Sequence, residues 1–207
     1  MRCFIFAAGD FSGLTEVPAA DDLILAADAG YRSCRAAGLC PTLVIGDFDS
    51  MDAPEGEVLL RLPVEKDDTD TMRAARVGLE RGCHDFVLYG GTGGRRADHT
   101  LANLQTLGFL ASRGAQARMI APGCVWQVLR DARLDFPAGM RGTLSVFCPD
   151  GEARGVSIGG TKYTLSHGTL RSDFPLGVSN SFTGAPAFVE VREGTLLLYY
   201  ETQDSMP

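Results

Sequence analysis

The first 122 residues repeat one pattern that restricts the folds open to the chain: a short apolar run, a glycine or aspartate, then a segment of helical spacing. The apolar runs fall at residues 3–8, 23–27, 43–45, 61–64, 85–89 and 117–120, and the helical patterns at 31–37, 69–81 and 98–113. Strands that alternate with helices build a mostly parallel sheet with right-handed crossovers and helices on both faces. Met72, Ala75 and Leu79 mark one expected apolar helix face, and Leu101, Leu104, Gly108 and Ala111 another. After Ala121-Pro122-Gly123 the pattern changes. Short strands are expected at 125–129, 143–148, 155–158, 161–165, 169–172, 187–191 and 196–201, parted by Gly, Pro, Asp and Asn and with no amphipathic helix among them. Such spacing predicts a small all-β sandwich or barrel. The expected fold class is α/β followed by all-β, with a Rossmann-like first domain over residues 1–122 and a second over 123–207.

At 207 residues, 45% hydrophobic and 22% charged, the chain has an ordinary globular composition and enough length for two small domains. Its net charge of -7 argues against nucleic acid or an acidic membrane surface as a general partner. The apolar run after Met1 breaks at Gly9-Asp10, too early for a signal peptide, and no segment reaches the length of a membrane span. The expected location is the cytoplasm. Cys3, Cys34, Cys40, Cys83, Cys124 and Cys148 form no Cys-x-x-Cys pair and read as reduced, packed thiols.

Ligands of parallel α/β sheets bind beyond the carboxyl ends of the strands, and this is where the sequence concentrates its acids. Gly46-Asp-Phe-Asp-Ser50 releases two carboxylates as the third run ends. If the backbone stays extended, Asp47 and Asp49 point to one side and Phe48 to the other, a pair able to clamp a divalent cation. Taken alone, the same residues serve equally well as solvated turn acids. Glu65-Lys-Asp-Asp-Thr-Asp70 carries more acid than a helix cap needs, although Asp67 or Asp68 as N-cap is the simpler alternative. Asp67 and Asp70 would share a helix face. In Tyr89-Gly-Gly-Thr-Gly-Gly-Arg-Arg-Ala-Asp-His99, four glycines, two arginines and a following helix suit an anion such as phosphate. The turn fits neither the Walker nor the dinucleotide fingerprint. No histidine triad or nucleophile elbow is present. Acids at several strand ends with a glycine- and arginine-rich turn describe a magnesium and nucleotide-phosphate site.

These motifs, Asp28-Ala-Gly, Gly46-Asp-Phe-Asp-Ser50, Glu65-Lys-Asp-Asp-Thr-Asp70 and Gly93-Gly-Arg-Arg-Ala-Asp-His99, followed by Gly160-Thr-Lys-Tyr-Thr-Leu165 and Gly177-Val-Ser-Asn180, resemble in order and spacing those of the thiamine pyrophosphokinase family. The resemblance spans nearly the whole chain, and departs from the usual pattern at Ala29 and Thr164. It implies magnesium-dependent transfer of pyrophosphate from ATP to the thiamine hydroxyl, giving thiamine diphosphate and AMP. It also implies a nucleotide-binding catalytic domain, a thiamine-binding β-sandwich, and a homodimer with its sites at the subunit interface. Carried over, Asp47, Asp49 and Asp70 would be catalytic and metal-binding acids, with Asp98 also catalytic. Asp28, Lys66, Asp67, Thr69, Gly93, Gly94, Arg95 and Asp98 would bind ATP, and Tyr163, Ser179 and Asn180 would line the thiamine pocket. A metal-dependent nucleotide hydrolase and a non-catalytic nucleotide or vitamin binder use overlapping residues and stay as alternatives.

Overall fold

The computed structural model describes residues 1–48, 53–63, 67–94 and 96–202. The chain divides into two compact units, Met1–Pro122 and Gly123–Pro207.

In the first unit, strands β1 (Arg2–Phe6), β2 (Leu23–Ala27), β3 (Leu43–Gly46), β4 (Leu59–Arg61), β5 (Asp85–Tyr89) and β6 (Gln116–Ala121) lie side by side in the order β6-β5-β1-β2-β3-β4. Every pairing is parallel. Strands covered on both faces can be apolar throughout, and Phe4, Ile5, Phe6, Leu25, Ile45, Phe86 and Leu88 are fully buried. Helices α1 (Gly30–Ala36), α2 (Asp70–Glu80) and α3 (Ala97–Ser112) supply the cover. The chain steps one way along the sheet through α1 and the other way through α2 and α3. Right-handed crossovers therefore place α1 on one face and the other two, which touch each other, on the opposite face.

The helix faces differ from the expected stripes. On α2 the buried residues are Thr71, Ala74, Ala75, Val77 and Gly78, whereas Met72 and Leu79 are only partly buried. Close approach selects small side chains here: a Cβ on Gly78 would stand 2.5 Å from Phe86 Cε1 and 2.9 Å from Cys3 Sγ. On α3 the buried positions are Asn103, Thr106, Leu107, Leu110 and Ala111, while Leu101 is exposed. Strand β4 also begins before the expected 61–64, because the apolar pair Leu59-Leu60 is what aligns with Val44-Ile45. Val64 lies outside the described residues.

The second unit is a β-sandwich. One sheet holds β12 (Gly177–Ser181), β9 (Thr143–Phe147), β14 (Thr195–Glu201) and β7 (Cys124–Arg130), in that order. The other holds β11 (Leu165–Arg171), β10 (Glu152–Gly159), β13 (Ala187–Glu190) and β8 (Arg133–Phe136). All pairings within it are antiparallel, and one core drawn from both sheets includes Leu144, Val146, Val156, Val189, Leu196 and Leu198. Sequence patterning misses β8 and β12, whose Arg133-Leu-Asp-Phe and Gly177-Val-Ser-Asn-Ser segments are too polar to stand out. It also places a strand at 161–165, where Thr161 makes only an isolated bridge to Phe182 before a turn leads into β11.

Candidate functional site

Beyond the carboxyl ends of β1, β2, β3 and β5 opens a cleft of about 730 Å³. It lies where the strand order reverses direction at the β1–β5 pair, the crevice that open α/β sheets use for ligands. Asp28, after β2, and Asp47, after β3, face it from one side, and Asp67, Thr69 and Asp70 enter from the start of α2. Gly93 and Gly94 follow β5 on the other side, next to Arg96 and His99. Five predicted aspartate and threonine positions and two predicted glycines thus share one cavity. Asp49, Lys66 and Arg95 lie outside the described residues.

Local geometry decides how each acid is presented. Asp28 adopts a left-handed backbone, φ 47°, its N–H donates to the Ile45 carbonyl at 2.7 Å, and its Oδ1 is buried. A Cβ on Gly46 would lie 3.3 Å from Asp28 Cα, so glycine lets the ends of β2 and β3 approach closely. Phe48 is left-handed as well, φ 59°, so the chain is not extended between Asp47 and its next acid. The simple alternation expected for Asp47 and Asp49 ends at that residue. At α2 the N-cap is Thr69, whose Oγ1 accepts the Met72 N–H at 3.1 Å, in place of Asp67 or Asp68. Asp67 precedes the helix and Asp70 opens it, yet both reach the cleft. Asp68, also on the cleft wall, accepts from Arg76 Nη1 at 2.7 Å.

The glycine turn is fastened from two directions. Asn103, buried on α3, donates its amide to the Gly91 carbonyl at 2.8 Å. From the segment that follows β1, the Gly9 N–H donates to the Gly90 carbonyl at 2.7 Å and the Asp10 N–H to the Thr92 carbonyl at 2.8 Å. The Gly94 N–H points to Asp10 Oδ1 at 3.3 Å, which engages one of the amides expected to meet an anion. Asp98 is not on the cleft wall; it is exposed and tied to Arg96, whose Nε donates to its Oδ1 at 3.1 Å. That contact holds the Asp98 carboxyl below its usual range. Sequence reasoning missed Asn103. The sequence carries no signal for it, since Asn103 lies off the apolar stripe expected for α3 and only the fold turns it to the buried side.

Among the described residues, no group of three or more His, Cys, Asp or Glu side chains is arranged to hold a metal ion. Magnesium does not require one, since it is commonly held by one or two carboxylates, with water and substrate phosphates completing its shell. Asp47 and Asp70, hard oxygen donors facing one cavity, fit that manner of binding.

In the second unit, Tyr163 and Asn180 come together and Ser179 stands beside them in sequence. Tyr163 is exposed with Lys162 Nζ 5.1 Å from its ring centre, whereas Asn180 is buried and hydrogen-bonds both backbone polar groups of Tyr163. Ser179 is left-handed, φ 61°, at the register shift between Gly177 and Asn180.

A Rossmann-like unit with an acid-lined cleft at its strand ends, followed in the chain by a β-sandwich unit, defines a two-unit α/β plus β ligand-binding architecture. The family model described as thiamin pyrophosphokinase, catalytic domain, matches residues 14–119, and the one described as thiamin pyrophosphokinase, vitamin B1 binding domain, matches residues 131–196. A thiamine pyrophosphokinase of Bacillus subtilis (strain 168) is 26% identical over 201 residues, covering 93% of this chain and 92% of that protein. The crystal structure of a thiamine pyrophosphokinase from Bacillus subtilis superposes with a TM-score of 0.86 at 24% identity, covering 98% of this chain and all (100%) of that one. A thiamin pyrophosphokinase family protein from Enterococcus faecalis gives a TM-score of 0.81 at 26% identity, covering 98% and 100%. The chain belongs to the thiamin pyrophosphokinase family and is an enzyme of the thiamine diphosphokinase class.

Proposed function

We propose that this enzyme transfers the β,γ-pyrophosphoryl group of ATP to the hydroxyl of thiamine in a magnesium-dependent reaction, releasing AMP. The observation that carries the reading is the single cleft in which Asp28, Asp47, Asp67 and Asp70 face a glycine turn flanked by Arg96. The triphosphate lies along the turn, where Arg96 and Arg95 contribute positive charge. Asp47 and Asp70, together with Asp49 of the same motif, would hold magnesium. When bound, magnesium offsets phosphate charge and lowers the barrier to displacement at phosphorus. In the second unit, Tyr163 offers an exposed aromatic face to the cationic thiazolium ring, with Ser179 nearby. Transfer forms a bond between the thiamine hydroxyl oxygen and the β-phosphorus and breaks the bond from that phosphorus to the oxygen bridging it to the α-phosphorus. AMP departs with the bonding pair, and a cleft carboxylate takes the hydroxyl proton.

The working form in this proposal is a homodimer with its sites completed at the subunit interface, in the cytoplasm. The exposed Phe174, Leu176 and Val178 of the second unit offer apolar surface for such a contact. The six cysteines are free thiols, in keeping with a reducing compartment. No helix among the described residues is long and apolar enough to cross a membrane.

Incubation with ATP, magnesium and thiamine should yield AMP and thiamine diphosphate together. ADP with thiamine monophosphate would contradict the reaction type, and AMP with unmodified thiamine would identify a hydrolase.

A further inference from the structure

Asn180 is 5% exposed, and all four hydrogen-bonding positions of its side chain are taken within the protein. Its Oδ1 accepts the Tyr163 N–H at 2.9 Å and the Ser181 N–H at 2.8 Å. Its Nδ2 donates to the Tyr163 carbonyl at 2.7 Å and to Thr161 Oγ1 at 3.1 Å. Backbone N–H groups can only donate, so they fix which end of the amide is oxygen. The Thr161 hydroxyl donates to the same Tyr163 carbonyl at 2.8 Å and closes the cluster. An asparagine amide has two N–H donors and two carbonyl lone pairs, so nothing is left over for a ligand. The Tyr163 ring, by contrast, belongs to a residue that is 60% exposed. One buried side chain thus grips both backbone polar groups of Tyr163 while its ring stays exposed, with Lys162 Nζ over one face.

We propose that Asn180 is a positioning residue for thiamine: it does not touch the vitamin, and acts by fixing the backbone from which Tyr163 presents its ring. The inference rests on the thiamine-binding reading above and assigns Asn180 a different task from lining the pocket. Low exposure and complete internal satisfaction make the cluster rigid, which holds an aromatic face at little cost in order when the ligand arrives.

The test is a double-mutant cycle read by the KM and Kd for thiamine. Asn180→Asp keeps the acceptor oxygen but sets a second oxygen against the Tyr163 carbonyl. It should raise thiamine KM and Kd about tenfold, the loss expected for disrupting one buried hydrogen-bonded group, with KM for ATP unchanged. Tyr163→Ala should weaken thiamine binding by itself. The double variant should bind thiamine within about twofold of Tyr163→Ala, since a positioning residue has nothing left to position. Should Asn180→Asp fail to fold, Thr161→Val opens the same cluster more gently and is put through the same cycle. Multiplicative losses in the double variant, or an unchanged thiamine KM in the folded single variant, would overturn the proposal. A wild-type enzyme that binds no thiamine in calorimetry removes the functional reading itself, whereas one that binds and shows multiplicative losses removes only the positioning role.

Discussion

The Arg61 guanidinium carbon lies 5.2 Å from the centre of the Phe48 ring. Parallel pairing of β3 and β4 sets Arg61 opposite Gly46, two residues before Phe48, so the contact follows from the register. Phe48 holds φ 59°, a conformation that costs a residue with a side chain about 1–2 kcal/mol. An exposed cation over an aromatic ring returns about 0.5 kcal/mol. The contact therefore offsets part of the strain in the turn that presents Asp47. Arg61→Ala and Phe48→Ala should be less than additive in urea unfolding, with a coupling of about 0.5 kcal/mol. Full additivity would show that the contact carries no energy.

Replacing a cleft acid tests the chemistry apart from the fold. Asp47→Asn and Asp70→Asn conserve shape but remove charge at positions open to the cleft. Each should lower kcat by at least about a hundredfold, the scale of losing one well-placed electrostatic group, with the thermal midpoint within a few degrees of wild type. Near-normal turnover in both would exclude them as metal-holding acids.

Gly93 has two reasons to be glycine. Its φ is 74°, and a Cβ there would meet Asp10 Oδ2 at 2.0 Å. Gly93→Ala should therefore push Asp10 away and disturb the turn, raising KM for ATP while leaving KM for thiamine nearly unchanged. Adding Asp10→Ala removes the clash but not the backbone strain, so ATP affinity should recover only in part. Steady-state kinetics with each substrate varied in turn would show this.

Acid sensitivity should trace to the Glu16–Arg118 pair. Arg118 Nε and Nη2 each donate to Glu16 at 2.6 Å, and Nη1 donates to Asp85 at 2.6 Å. Hydrogen bonding to Arg118 holds the Glu16 carboxyl below its ordinary value of 4.5, with burial opposing in part. Burial disfavours the Arg118 charge, but its two carboxylate partners outweigh that and keep it protonated. A depressed carboxyl contributes stability at pH above its unfolded value, and that contribution is lost as pH falls below about 4.5 through the folded value. Glu16→Gln should flatten the acid limb of a stability–pH profile. Arg118→Met should cost about 1–2 kcal/mol at neutral pH, discounted for partial exposure.

Thiol chemistry should separate the cysteines. Cys40 is exposed with Arg35 Nη1 2.8 Å from its sulfur, whereas Cys3, Cys34, Cys83 and Cys148 are buried. Burial pushes the Cys34 thiol up to about 12, which suppresses its thiolate. Under native conditions a thiol reagent should modify Cys40 first and leave the buried four until denaturant is added. Peptide mapping of a short labelling pulse reads this directly, and early labelling at Cys34 would contradict it.

Sequence alone determines the alternation of apolar runs and helices, the change to closely spaced strands, and the gathering of acids and glycines at strand ends. Each follows from short-range rules: strand and helix periods, turn residues, and the tendency of parallel sheets to place ligands at one edge. Tertiary structure decided what local rules do not contain. Whether α2 turns Met72 or Gly78 to the sheet depends on how closely Phe86 and Cys3 approach. The grip of Asn103 on Gly91 and of Asn180 on Tyr163 joins residues 12 and 17 positions apart through buried amides. Asn180 stands in a recognisable motif, but whether its amide faces a ligand or its own backbone is fixed by which polar groups folding leaves beside it in the dry interior, where each needs a partner.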